Sequence, residues 1–156
     1  MIKCEFENGN KAFLRHVVVD NLVIKDSKIL LVKMANKLLE AGKWGVAGGF
    51  MKRDETIKEA VARETLEETG YKVDGITLLR IIDTPNRSGE GRQNISFVYF
   101  CRALGKNGIA DSESEEQKWF DLSNLPAKEE IAFDHFDSIE LYKKYLIQPF
   151  SLPQIN

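Results

Sequence analysis

The chain has 156 residues, 43% hydrophobic and 29% charged, with a net charge of −2. That length suits one domain around a single core. The near-neutral balance excludes a basic field that would draw the whole chain to nucleic acid or to an anionic membrane, so a polyanionic ligand must be held locally, by a few cationic side chains or by a metal. The two cysteines, Cys4 and Cys101, form no zinc-like cluster and read as reduced thiols of a cytoplasmic protein. The start, MIKCEFENGNK, has no apolar signal core, and no apolar run approaches the ~20 residues of a membrane span.

In chain order, HVVVDNLVI (16–24) is β-branched and predicts a strand. Lys25-Asp26-Ser27 predicts a turn, and KILLVKM (28–34) a returning strand, hence a hairpin. Residues 35–43 predict a loop with some helical propensity, and WGVAGGF (44–50) a short strand broken at Gly48-Gly49. A helix is predicted over 56–69. Thr56 and Glu59 have capping-box spacing, and Gly70 stands where a glycine ends a helix. TLLRIID (77–83) predicts a strand, TPNRSGEGRQ (84–93) a polar loop, and NISFVYFCRAL (94–104) a long strand. KNGIADSESEE is an acidic loop, QKWFDL (117–122) a further strand and SNLP a turn. The pattern from Ile131 to about Ile147 is helical, and the tail after Pro149 is irregular. No repeat, low-complexity segment or linker divides the chain, so 1–156 reads as one domain. This mixture with hairpins predicts an α/β fold whose mixed sheet carries helices on both faces.

On a helical wheel at about 100° per residue, Ile57, Ala60 and Val61 form an apolar stripe of core-facing spacing. The same stripe continues at Glu64, Glu67 and Glu68. A solvated acidic face would be the ordinary fate of such a run, but it belongs opposite the apolar stripe, not in line with it. Glu64 and Glu68 are also a like-charge i, i+4 pair, unfavourable in a helix, and their partial burial costs more unless they are protonated or meet a cation. Hard oxygen ligands at this spacing suit Mg2+ or Mn2+. Gly48 and Gly49 serve either a turn or the close approach of a ligand to the backbone. They match neither GxGxxG nor GxxxxGK[ST].

Gly49, Glu55 and the run Arg63-Glu64-Thr65-Leu66-Glu67-Glu68-Thr69-Gly70-Tyr71 resemble the Nudix box, Gx5Ex7REUxEExGU, with U a bulky apolar residue. All seven fixed positions match, a coincidence on the order of one in a million for a chain of ordinary composition. Thr65 departs from the usual aliphatic residue, which implies looser packing with intact chemistry, and Tyr71 is a less typical final residue. KILLVKM followed by GKWGVAGGF resembles the strand–loop–strand leading into such boxes, with Ala47 where many relatives have proline; EEQKWFDLSNLP resembles a later strand and turn. The resemblance implies an α/β/α sandwich with a mixed β-sheet. It implies hydrolysis of a nucleoside diphosphate linked to another moiety, with Mg2+ or Mn2+ as cofactor.

Carried over by position, Glu64, Glu67 and Glu68 are the implied metal ligands, joined by the Gly48 carbonyl. Arg63 would orient the carboxylates and Glu55 would brace Arg63. The implied base that takes a proton from attacking water is Glu64 or a residue of the DSESEE loop, first Glu113 and then Glu116, although that loop can equally be a solvated acidic segment. Pro85, 15 residues past Gly70, is similar to a proline of ADP-ribose pyrophosphatases, and its loop adds Arg87 and Arg92 for phosphate or ribose contacts. AFDHFDSI (132–139) resembles a segment of ADP-ribose-type relatives, which puts His135 among the ligand contacts. Phe50, Phe133 and Trp44 are the candidate stacking rings. The implied partner is a small nucleotide, ADP-ribose or a related sugar nucleotide or dinucleotide, with no nucleic acid or membrane. The resemblance allows a homodimer that no sequence feature demands. Two alternatives are a (deoxy)nucleoside triphosphate pyrophosphatase, such as an 8-oxo-dGTP sanitiser, and a non-catalytic sensing domain. The intact glutamates and the short segment after Ile147 are expected to weigh against the sensor.

Overall fold

The computed structural model describes residues 1–36, 38–85, 93–108 and 114–155, apart from the side chains of Ser114 and Glu115. Strands Ile2–Glu5 (β1) and Lys11–Leu14 (β2) form a small antiparallel hairpin. The main sheet and its helices then follow: Val17–Lys25 (β3), Lys28–Met34 (β4), Trp44–Gly45 (β5), Ala47–Phe50 (β6), helix Ile57–Thr69 (α1), Tyr71–Ile82 (β7), Ile95–Lys106 (β8), Ser114–Asp121 (β9), a 3-10 turn at Lys128–Glu130, helix His135–Ile147 (α2) and Gln154–Ile155 (β10).

β3 organises the sheet. It runs parallel to β8, pairs antiparallel with β6 over Val18–Asn21 and antiparallel with β4 over Val23–Lys25. β7 and then β10 extend the sheet beyond β8, while β5 and β9 pair with β4. Two parallel pairings, β3 with β8 and β7 with β10, among antiparallel ones make the sheet mixed. A strand enclosed on both sides reads as apolar throughout rather than alternating, and Val19, Leu22 and Val23 are indeed wholly buried.

Successive residues of β3 serve opposite faces. Val19 packs with Ala60 and Val61 of α1 and with Tyr99, whereas Leu22 packs with Ile139 and Tyr142 of α2, Leu79 and Val98. The helices therefore cover opposite faces, giving the expected α/β/α layering. The β3–β4 hairpin turns at Asp26 and Ser27, both at positive φ (48° and 60°), the backbone that a two-residue turn matched to strand twist requires. No helix among the described residues is long and apolar enough to cross a membrane.

Several elements differ from the sequence expectation, among them β9, which begins at Ser114 within the segment expected to be an acidic loop. The 44–50 segment breaks at Val46, not at the glycines; Gly48 and Gly49 pair inside β6 with Asp20 and Val19. β7 begins at Tyr71, and its register shifts near Val73, Thr77 and Arg80 blur the alternation that marks a strand. Helix α2 begins only at His135, because Ile131 bridges to Trp44, Ala132 N–H bonds to the Trp44 carbonyl, and Phe133 has a positive φ of 53°. The tail contributes β10, parallel to β7.

Candidate active site

Helix α1 is set by its ends. Thr56 Oγ1 accepts from Glu59 N–H at 3.4 Å, and the Glu59 carboxylate accepts from Thr56 N–H at 2.7 Å, a closed capping box. At the other end Gly70 adopts φ 75°, where a Cβ would collide with the Gly108 carbonyl oxygen. The phase so fixed points Ala60, Val61, Thr65 and Glu68 inward and leaves Glu67 at the exposed edge.

Arg63 collects the acidic side chains. Its Nε and Nη2 donate to the two Glu55 oxygens at 2.8 and 2.7 Å, a two-pronged pair. Nη1 donates to Glu64 Oε1 at 2.7 Å and to Glu67 Oε2 at 2.9 Å, and Nη2 also reaches the Phe50 carbonyl at 3.1 Å. A guanidinium has five N–H donors, and here each has an acceptor. Glu55 in turn accepts from Lys52 N–H at 2.6 Å, so the loop, the helix and β6 meet on one cation.

The remaining carboxylates lie against the glycine strand. Glu68, 8% exposed, accepts from Gly48 N–H at 3.1 Å. Glu64 lies against Gly49, where an added Cβ would come within 2.8 Å of both its oxygens. The electrostatics divide the acids. The hydrogen bond from Arg63 holds Glu55 down at about 2, while burial pushes the Glu64 carboxyl up against the opposing pull of Arg63. Glu55 raises Arg63 further above its ordinary value.

Among the described residues no three acidic, histidine or cysteine side chains converge as a ready cation site: Glu64 and Glu67 turn to Arg63, and Glu68 to Gly48. The donor chemistry nevertheless fits a hard divalent cation, since carboxylate oxygens from one helix face lie beside backbone kept free of side chains. A cation there would stabilise the charged form of Glu64 that burial disfavours.

The other expected residues are more scattered. Phe50 is 42% exposed on β6, its ring 5.0 Å from that of His16. His135 is 5% exposed; its Nδ1 accepts from Val46 N–H at 3.2 Å and its Nε2 lies 3.7 Å from Asp20 Oδ1. The structure thus sets it inside the fold, tying α2 to the segment before β6. Phe133 packs on His135, Trp44 packs edge-on against Phe120, and Glu116 is exposed on β9 opposite Lys33. Pro85 is exposed at the end of a described segment. Arg87, Arg92 and Glu113 lie outside the described residues.

Sequence reading missed Asn21. It is wholly buried on the α1 face of β3, and its Nδ2 donates to the Val61 carbonyl at 3.2 Å and to Thr65 Oγ1 at 3.1 Å. The chain continues through Thr69 Oγ1, which donates to the Thr65 carbonyl and accepts from Tyr71 N–H at 3.1 Å. The available sign was a polar Asp20-Asn21 pair inside an otherwise apolar strand.

The NUDIX domain family model matches residues 14–142. An ADP-ribose pyrophosphatase of Methanocaldococcus jannaschii is 38% identical over 129 residues, 83% of this chain and 73% of that protein. An oxidized purine nucleoside triphosphate hydrolase of Danio rerio is 33% identical over 114 residues, 72% of this chain and 70% of that protein. The solved NUDIX domain of Shewanella oneidensis NrtR, complexed with ADP ribose, matches with a TM-score of 0.71 at 26% identity, over 85% of this chain and 89% of that one. With Glu55, Glu64 and Glu67 gathered on Arg63 and most of its length matched by the family model, the chain belongs to the Nudix family and is a hydrolase of diphosphate bonds.

Proposed function

We propose that the chain is a divalent-cation-dependent pyrophosphohydrolase of ADP-ribose or a related sugar nucleotide or dinucleotide. The observation that carries this reading is the placement of Glu64 and Glu68 against the side-chain-free backbone of Gly49 and Gly48. The likeness to an ADP-ribose pyrophosphatase and to an ADP-ribose-bound domain supports the substrate class.

In this reading Glu64, Glu67, Glu68 and the Gly48 carbonyl hold Mg2+ or Mn2+. When bound, the cation offsets charge on the diphosphate oxygens and lowers the pKa of water. Arg63 orients the Glu64 and Glu67 carboxylates through its hydrogen bonds, and Glu55 fixes the plane of the guanidinium. Glu64 is the base we assign to take the proton from the attacking water; Glu113 and Glu116 are the competing bases. The exposed Phe50 ring offers a stacking face for the nucleobase, and the Pro85, Arg87 and Arg92 loop supplies phosphate or ribose contacts. We place the enzyme in the cytoplasm, consistent with two free thiols among the described residues.

A second reading, a (deoxy)nucleoside triphosphate pyrophosphatase, is favoured by the likeness to the Danio rerio hydrolase. A substrate panel with Mg2+ or Mn2+ separates the two. ADP-ribose is expected to yield AMP and ribose 5-phosphate. Preferred cleavage of triphosphates to pyrophosphate would overturn the substrate assignment, and binding of ADP-ribose without turnover would favour a sensing domain.

A further inference from the structure

We infer that Asn21 and Thr65 form a positioning pair that sets how far α1 stands from the Gly48–Gly49 strand, and thereby tunes the cation site. This inference rests on the proposed cation reading of the box and goes beyond it by assigning a role to two residues outside the ligand set.

Asn21 touches both walls of the site. Its backbone is in register with Ala47, the neighbour of Gly48, and its side chain holds Val61 O and Thr65 Oγ1 on α1. Both wall-to-wall contacts of the carboxylates, Glu68 with Gly48 N–H and Glu64 with Gly49, span the gap that this side chain bridges. Thr65 follows Glu64 directly and lies one turn before Glu68, so a rotation of α1 about its axis moves all three residues together. Hydrogen bonds fix direction where apolar packing tolerates sliding.

Two details argue against mere core filling. Asn21 Oδ1 is buried without a partner among the described residues, a setting that an apolar side chain of similar size would suit at least as well for stability alone. Thr65 is itself wholly buried, and its hydroxyl is engaged by Asn21.

The test uses Mn2+ binding to the full chain without substrate, followed by electron paramagnetic resonance, for wild type, Thr65→Val, Thr65→Ser and Asn21→Leu. Chemical unfolding is measured alongside, and KM and kcat on the best substrate are compared. Thr65→Val is expected to weaken Mn2+ affinity about tenfold or more and to lower kcat with little change in KM. Thr65→Ser, which keeps the hydroxyl, is expected to stay within about twofold of wild type. Asn21→Leu should reproduce the Thr65→Val defect, and a fifth protein carrying both Asn21→Leu and Thr65→Val should be no worse than either single variant. Wild-type Mn2+ affinity in Thr65→Val, with only unfolding altered, would overturn the inference and leave the cation reading standing. A wild-type chain that binds no Mn2+ would remove the cation reading and the inference with it.

Discussion

Gly49 and Glu64 share one volume: a Cβ on Gly49 would lie 2.7 Å from the Glu64 carboxyl carbon and 2.8 Å from each of its oxygens. Contacts below 3.0 Å force a shift, and the far end of a glutamate is what can move. Gly49→Ala is therefore expected to fold, displace the Glu64 carboxylate and lower kcat by roughly 10- to 100-fold. Gly105→Ala, where a Cβ meets nothing within 4 Å, is the matched control and should retain wild-type turnover. Steady-state kinetics of the two variants check the relationship.

Arg63 orients three glutamates through one planar fork, a geometry that lysine cannot reproduce despite its charge. Arg63→Lys should keep the fold but lose the two-pronged hold on Glu55 and the shared bond to Glu64 and Glu67. A fall in kcat of about 10- to 100-fold is expected. Full activity in this variant would show that charge alone suffices.

The depressed Glu55 carboxyl predicts a specific acid sensitivity. Its value falls from 4.5 to about 2 on folding, chiefly through the Arg63 hydrogen bond. Because the folded-state value lies below the unfolded one, the associated stability is present above about pH 4.5 and lost as the pH falls towards 2. Urea midpoints measured across this window should decline steeply for wild type and less steeply for Glu55→Gln. Parallel curves would remove the Arg63–Glu55 pair from the account.

Burial pushes the Cys101 thiol up to about 12, and the residue is 2% exposed, so little nucleophilic thiolate forms at pH 8. A thiol reagent is expected to modify only Cys4 in the native protein and to reach both cysteines in denaturant. Rapid native modification at both sites would contradict the packing of β8 against Leu22 and its neighbours.

The parts of the site legible in the sequence were the local ones. Thr56, Glu59 and Gly70 act within a few residues of one another, and the stripe from Ile57 to Glu68 depends only on helix periodicity. That stripe put Glu64, Glu67 and Glu68 in one line with the core face; the helix turns Glu68 and Glu64 inward but leaves Glu67 at the exposed edge. What the sequence concealed is held by long-range contacts. Asn21 meets Thr65 across 44 positions, and His135 meets Val46 across 89. His135, expected among the ligand contacts, lies inside the fold, where Ile131 and Ala132 pair with Trp44 just ahead of α2. The β1–β2 hairpin was also missed: its strands are four residues each and mostly exposed, so they carry little hydrophobic pattern.

The central claim is that the box carboxylates hold a divalent cation for diphosphate cleavage, and it is tested most directly by AMP release from ADP-ribose by wild type and Glu68→Gln across a Mg2+ titration. The account predicts no release in chelator, restoration by Mg2+, and a loss on the order of 100-fold in Glu68→Gln with an unchanged unfolding midpoint. Undiminished AMP release by Glu68→Gln, or release that persists in chelator, would contradict it.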